Sequence, residues 1–129
     1  METYIRSMAC YAILSYLLGI GDRHLGNIMI NDKGKMFHID FGYLFGNEPN
    51  SIKQFFSSLI WISPEMVNFL TIDERKSFNN KLENLYKESW KHKNLILNSI
   101  YLLIHSGLPQ LPVENSEYLL KNIHERFMP

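Results

Sequence analysis

Two short apolar runs, Ile28-Met29-Ile30 and Lys35-Met36-Phe37-His38-Ile39, flank the turn-forming stretch Asn31-Asp32-Lys33-Gly34. That pattern constrains this stretch of the chain to a β-hairpin. Upstream, Ile5, Met8, Ala9, Ala12, Ile13, Tyr16 and Leu17 recur at alternating steps of three and one, which puts all seven on one face of a helix. Gly19 and Gly21 stop that helix just before the first strand. Centring the turn on Lys33-Gly34 sets Asn27 opposite Asp40.

From Phe41 to Ile62 no period is sustained, and Gly46, Pro49 and mixed polar and aromatic residues mark a long irregular segment. Loops of that length in compact domains are functional or disordered. Ser63-Pro64-Glu65 then supplies an N-cap, a first-turn proline and a first-turn acid, and Thr71 with Glu74 forms a capping box. One helix is expected after each signal, the second running to about Trp90 with Phe78, Leu82, Leu85 and Tyr86 inward. Another is expected from Asn94 to Ser106, ended by Gly107 and Pro109, and a last one from Ser116 to Phe127. The expected fold is mainly α with one small hairpin.

The chain has 129 residues, 46% of them hydrophobic and 13% aromatic, which suffices for one packed domain. Lys plus Arg and Asp plus Glu both number 13, so no overall field draws the chain to nucleic acid or an anionic surface, and any phosphate contact must be local. Cys10 is the single cysteine. Within an apolar helical pattern it is expected to be a structural, buried thiol in a reducing, cytosolic setting. The longest apolar stretch, Leu95 to Ile104, is half of the about 20 residues a membrane span requires. No secretory leader is expected at the N-terminus.

Chemistry concentrates in Gly21-Asp22-Arg23-His24-Leu25-Gly26-Asn27, answered across the hairpin by His38-Ile39-Asp40-Phe41-Gly42. Phosphoryl transfer needs a residue that activates the acceptor, an amide or carboxylate that holds a metal, and a second carboxylate between metal and phosphates. All three types stand here in that order. His38 belongs to the motif but lies on a strand facing packed side chains, so it is expected to be a buried hydrogen-bonding residue. His92, His105 and His124 have no metal-ligand partners at useful spacing and are expected to be ordinary surface or core residues.

Asp22-Arg23-His24-x-x-Asn27 followed by His38-Ile39-Asp40-Phe41-Gly42 resembles the signature of the phosphatidylinositol 3- and 4-kinase superfamily. Ordinary protein kinases order the first motif His-Arg-Asp. Tyr43-Leu44-Phe45-Gly46, Glu65-Met66-Val67 and Asn94-Leu95-Ile96-Leu97-Asn98 resemble class III phosphatidylinositol 3-kinases. Gly42-Tyr43-Leu44, where target-of-rapamycin-like protein kinases place an aspartate and a cysteine, favours a lipid kinase.

The resemblance implies the C-terminal lobe of a kinase-like fold, incomplete in itself. Residues 1–18 would be a helix, 19–27 the catalytic loop, 28–40 the hairpin, 40–64 the activation segment and 64–129 a helical region. It implies ATP-dependent phosphorylation of phosphatidylinositol at the inositol 3-hydroxyl, with ATP and Mg2+ (or Mn2+) as cofactors. His24 would accept or relay the hydroxyl proton with Asp22 orienting or sharing that role, and which of the two is the base stays open. Asn27 and Asp40 would hold the metal, Arg23 would be an internal electrostatic anchor, and Phe41 and Gly42 would open the activation segment. Regulatory subunits for a full-length parent, peripheral contact with endosomal or autophagic membranes from the cytoplasm, and no nucleic-acid partner complete the expectation.

Relatives that accept polyphosphorylated inositides carry a basic cluster in the activation segment, whereas Lys53 is the only basic residue between Phe41 and Pro64. Phosphatidylinositol itself is the implied substrate. Phe55, Phe56, Leu59, Ile60, Trp61 and Ile62 fill this segment and either enter a bilayer interface or pack on the lobe. The sequence is expected to lack the Gly-rich phosphate loop and the strand lysine of the kinase type, which would lie ahead of Met1, and to stop short of the family's final amphipathic helix. The chain is therefore expected to hold half of an active site. The alternatives are a catalytically inactive remnant or interaction module, or a fragment of a related protein kinase or of a phosphatidylinositol 4-kinase.

Overall fold

A computed structural model describes residues 1–47, 60–109, 111 and 116–128. Helix α1 spans Glu2–Leu17. A single 3-10 turn, Leu25–Asn27, leads into strands β1 (Ile28–Ile30) and β2 (Met36–His38). Four helices follow: α2 (Pro64–Val67), α3 (Ile72–Lys91), α4 (Lys93–Ile104) and α5 (Ser116–Arg126). The described residues are mostly helical, with one two-stranded antiparallel sheet.

Helix α1 is the axis of the molecule. Its first half packs Tyr4, Ile5, Met8 and Ala9 against Met36 of β2, Met66 of α2 and Phe78 of α3. Its second half packs Ile13 and Leu17 against Phe45, Ile100 and Ile104 of α4, and Leu119 and Ile123 of α5. Leu82 and Leu85 of α3 touch both clusters and join them. Burying each such side chain stabilises the fold by about 1.5–3 kcal/mol, which is why the three-one spacing governs α1.

Local chemistry sets the helix starts. The Thr71 hydroxyl accepts from the Glu74 N–H at 3.2 Å while the Glu74 carboxylate accepts from the Thr71 N–H at 2.8 Å, a reciprocal box that satisfies two end groups of α3. At α2 the Met66 thioether takes the equivalent place, accepting from the Ser63 N–H at 3.4 Å.

The hairpin register differs from the sequence reading by one residue. Ile28 pairs with His38, Met29 with Phe37 and Ile30 with Met36, so Asn27 faces Ile39, whose N–H donates to the Asn27 carbonyl at 2.8 Å. The cause is the turn. Gly34 has φ +75, its N–H donates to Asn31 O at 2.9 Å, and the Asn31 N–H donates to Lys35 O at 3.0 Å. This is a three-residue loop ending in a left-handed glycine bulge rather than a two-residue turn. Asp40 therefore stands one position beyond the residue opposite Asn27.

Cys10 is exposed, against the expectation of a buried thiol. Its neighbours Ala9 and Tyr11 face the core, and Cys10 falls on the opposite stripe of α1 with Thr3, Arg6 and Leu14. Ile62 and Trp61 are partly buried against the first cluster, so for these two the packing alternative holds, while Ile60 is 40% exposed. Lys53, Phe55, Phe56 and Leu59 lie outside the described residues.

Candidate active site

The loop after α1 is built by a close approach of two backbones. Gly19 has φ +56, which costs a glycine little and any other residue more. The turn it makes lets Phe45 N–H donate to Leu18 O at 2.7 Å, Gly46 N–H to Gly19 O at 2.9 Å, and Gly21 N–H to Tyr43 O at 2.9 Å. The start of the Asp22-to-Asn27 loop and the segment that follows Gly42 are thus laced together by main-chain hydrogen bonds alone.

Asp22 itself has φ 51 and Asp40 φ 68, a left-handed conformation at both carboxylates that non-glycine residues visit infrequently and Asp more readily than most. The Asn27 side-chain amide donates to the Asp22 carbonyl at 3.0 Å and reaches the Asp22 carboxylate at 3.5 Å. That fixes the amide nitrogen inward and leaves Asn27 Oδ1 as the atom able to meet a cation. The Asp22 carboxylate also lies 3.8 Å from His24 Nε2, an electrostatic contact rather than a hydrogen bond, with the His24 side chain 60% exposed. His24 therefore presents its ring to the open face beside Asp22.

Across the hairpin Asp40 is exposed, and its Oδ1 accepts from the Gly42 N–H at 3.2 Å, which turns the chain at Phe41, itself 52% exposed. Arg23 is buried, and burial lowers its pKa while the nearby Tyr11 opposes that shift. His38 is buried too, stacked on Tyr11 at 5.9 Å and edge-on to Phe41 at 5.4 Å. Desolvation pushes its pKa down, with the Asp22 main chain and the Asp40 charge pulling the other way, so the ring is held neutral. Both its nitrogens are enclosed, and the Asp22 main chain is the polar group that bears on the ring. Lys53 is outside the described residues.

Sequence reasoning did not single out the apolar platform on the hairpin's outer face. Met29, Phe37 and Ile39 are 46%, 45% and 41% exposed, and Asn27 and Asp40 flank their ends. Period-two alternation with the correct register would have revealed it. His92, His105 and His124 are exposed. Among the described residues no group of three His, Cys, Asp or Glu converges as a metal cage. One amide oxygen and one carboxylate are a donor set that suits Mg2+, which keeps its waters and shares substrate phosphates, rather than a structural ion. No helix among the described residues is long and apolar enough to cross a membrane.

The sequence profile described as phosphatidylinositol 3- and 4-kinase matches residues 1–113. Phosphatidylinositol 3-kinase catalytic subunit type 3 of Caenorhabditis elegans is 31% identical over 124 residues, 94% of this chain and 13% of that protein. Phosphatidylinositol 3-kinase pik3 of Schizosaccharomyces pombe is 35% identical over 130 residues, 98% of this chain and 16% of its own length. Phosphatidylinositol 3-kinase VPS34 of Arabidopsis thaliana is 33% identical over 130 residues, 98% of this chain and 15% of its own length. The chain thus spans about one-sixth or less of the curated relatives it matches. With the match covering the inverted Asp-Arg-His loop, the hairpin and the Asp-Phe-Gly turn in order, the chain belongs to the phosphatidylinositol 3- and 4-kinase family.

Proposed function

We propose that this chain supplies the catalytic loop and the metal-binding motif of a kinase that transfers the γ-phosphoryl group of ATP to the 3-hydroxyl of phosphatidylinositol. The observation that carries the proposal is the Asn27 amide locked on Asp22, which leaves one amide oxygen beside a loop that presents His24 to solvent. Phosphoryl transfer is catalysed chiefly by positioning and by charge stabilisation, so a rigid polar loop is what the reaction asks of this half.

His24, exposed at the open face, or Asp22, whose carboxylate lies 3.8 Å from His24 Nε2, takes the inositol hydroxyl proton. Asn27 and Asp40 would hold Mg2+, or Mn2+, and the ion would neutralise charge on the β- and γ-phosphates. Met29, Phe37 and Ile39 offer a flat apolar floor for the purine ring. Buried Arg23 sets the local field from behind the loop. The names of the relatives support phosphatidylinositol as substrate and 3-kinase specificity. The single Lys53 in the segment from Phe41 to Pro64 supports the unphosphorylated lipid over its phosphorylated forms. Peripheral action at a membrane from the cytoplasmic side follows from that substrate.

The test is a chimera in which this chain replaces the matching 130 residues of the Schizosaccharomyces pombe relative. It should form the 3-phosphorylated lipid in vesicles with ATP and Mg2+, and Asp40→Ala should abolish turnover. The 129-residue chain by itself should show none. Turnover by the isolated chain, or a chimera indifferent to Asp40→Ala, overturns the assignment.

A further inference from the structure

The segment that follows Asp40 is held in a strained form. Phe45 has φ 57 and Gly46 φ 76, and a left-handed non-glycine residue persists only where its surroundings over-determine it. Part of that restraint is main chain: Phe45 N–H donates to Leu18 O at 2.7 Å and Gly46 N–H to Gly19 O at 2.9 Å. More comes from α5. The Phe45 ring packs with Leu119 and Ile123, and Asn122, between them on the chain, lays its amide against Gly46. A Cβ on Gly46 would fall 2.7, 2.9 and 3.0 Å from Asn122 Oδ1, Cγ and Nδ2, so the amide turns its face to the glycine.

Arg126, one turn further along α5, ties this face to the other side of the contact. Its Nε donates to Asn122 Oδ1 at 2.9 Å, and its Nη1 donates to Tyr16 O, 110 positions away in sequence, at 2.6 Å. Tyr16 O also accepts from the Gly19 N–H at 3.2 Å. One guanidinium therefore grips both the carbonyl that shapes the Gly19 turn and the amide that backs Gly46. The last turn of α1 carries no basic residue of its own, and Arg126 supplies a cation at the negative end of that helix. The grip is braced in turn. The guanidinium lies 5.6 Å from the Tyr16 ring centre, Tyr16 meets the Tyr86 ring of α3 at 6.4 Å, and the Tyr86 hydroxyl donates to Arg126 O at 3.2 Å.

Arg126 is 4% exposed. A side chain that merely filled the space between α5 and α1 would be apolar, because taking a charge out of water is costly. A planar fork with donors on two sides reaches Asn122 and Tyr16 together, which a single ammonium does less well. Beyond the contact, Gly21 N–H donates to Tyr43 O at 2.9 Å, joining the residue before Asp22 to one three positions after Asp40. We propose that Arg126 and Asn122 are positioning residues for the phosphoryl-transfer site: they secure the Gly19-to-Gly46 contact from α5 and so hold Asp22 and Asp40 at a fixed separation. The effect on turnover rests on the kinase reading, and the effect on the two backbone segments does not. Misplacing reacting groups by about 1 Å costs on the order of a hundredfold in rate, so a small slip at this contact is enough to be read in kcat.

The experiment uses the chain and the chimera with the Schizosaccharomyces pombe relative. In the chain, Arg126→Met keeps a long side chain and removes the guanidinium. Amide exchange at Gly21, Phe45 and Gly46 should quicken by about tenfold or more relative to Phe78 of α3, which reports any global loss of stability. Asn122→Ala, which favours the helix but uncovers Gly46, should give the same pattern. Asn122→Asp keeps an acceptor for Arg126 Nε and should stay within about twofold of the parent chain. In the chimera, Arg126→Met should lower kcat by about tenfold or more and leave KM for phosphatidylinositol within about twofold, the split expected of a residue that orients reacting groups without touching the lipid. Arg126→Lys, which keeps the charge, should lie between the two. Equal quickening at Phe78, quickening that stops short of Gly21, or an unchanged kcat in Arg126→Met overturns the inference. A parent chimera without turnover removes the kinase reading, and exchange at Gly21 then decides the positioning role by itself.

Discussion

The N–H of Gly46 donates to the carbonyl of Gly19 at 2.9 Å, and a Cβ built on Gly19 would lie 2.6 Å from that same nitrogen. One bond of this kind closes the gap between the end of α1 and the segment that follows Asp40, so the separation of Asp22 from Asp40 is set by main chain before side chains take part. Asn122 of α5 backs the contact, with its side chain close enough to Gly46 that a Cβ there would come within 2.7 Å of Asn122 Oδ1. Arg126 holds Asn122 in turn, its Nε donating to Asn122 Oδ1 at 2.9 Å and its Nη1 to Tyr16 O at 2.6 Å. Burial lowers the Arg126 pKa to about 10, which leaves it charged at neutral pH.

Gly19→Ala is expected to be far more damaging than Gly34→Ala. Both glycines have positive φ, but a Cβ at Gly34 meets nothing within 4 Å, so that change costs about 1–2 kcal/mol of backbone strain alone. At Gly19 the same strain adds to a backbone clash that no side chain can relieve. Thermal denaturation of the two variants should show the larger fall for Gly19→Ala, and equal falls would refute the close approach.

Asn27→Asp should separate a structural role of that residue from the proposed metal-binding one. An oxygen in place of Nδ2 would face the Asp22 carbonyl and carboxylate with no donor between them, a loss of about 1–3 kcal/mol. Mg2+ should restore part of the lost Tm for Asn27→Asp, since a cation can bridge those oxygens, and none of it for Asn27→Ala. A Mg2+ response identical in both variants would argue against a cation at Asn27.

Tyr4 links stability to alkaline pH. Its buried hydroxyl donates to Met66 O at 2.9 Å and ties α1 to α2, and burial raises its pKa above the ordinary 10.0. The folded protein keeps this proton after the unfolded chain has released it. The stabilisation is therefore whole below pH 10 and is lost as pH rises through the folded value. Tyr11 and Tyr86 shift in the same direction by burial. Tyr4→Phe should cost about 1 kcal/mol at neutral pH and make the decline above pH 10 shallower, as denaturant titrations across that range would show.

Thr71→Ala should remove the side-chain acceptor for the Glu74 N–H at the start of α3 and lower stability by about 1 kcal/mol. The loss should be largely recovered by Ser at the same position. Hydrogen exchange should localise it to the first turn of α3, and a change spread over the whole helix would contradict the cap.

What the sequence determined by itself is what depends on near neighbours in the chain. The three-one spacing from Ile5 to Leu17 specifies a buried helix face, Thr71 with Glu74 specifies a helix start, and the ordered pair of polar motifs specifies the family. What only the tertiary structure decided depends on residues far apart in sequence or on one dihedral angle. The left-handed Gly34 shifted the hairpin register by one residue, so Asn27 faces Ile39 and Met29, Phe37 and Ile39 share the outer face. The placement of Cys10 on the open stripe of α1 turned on which side α3 packs. The approach of Gly19 to Gly46 spans 27 positions of the numbering, and no local pattern encodes it, because the reward for that turn is a backbone hydrogen bond that exists only once the two segments have met.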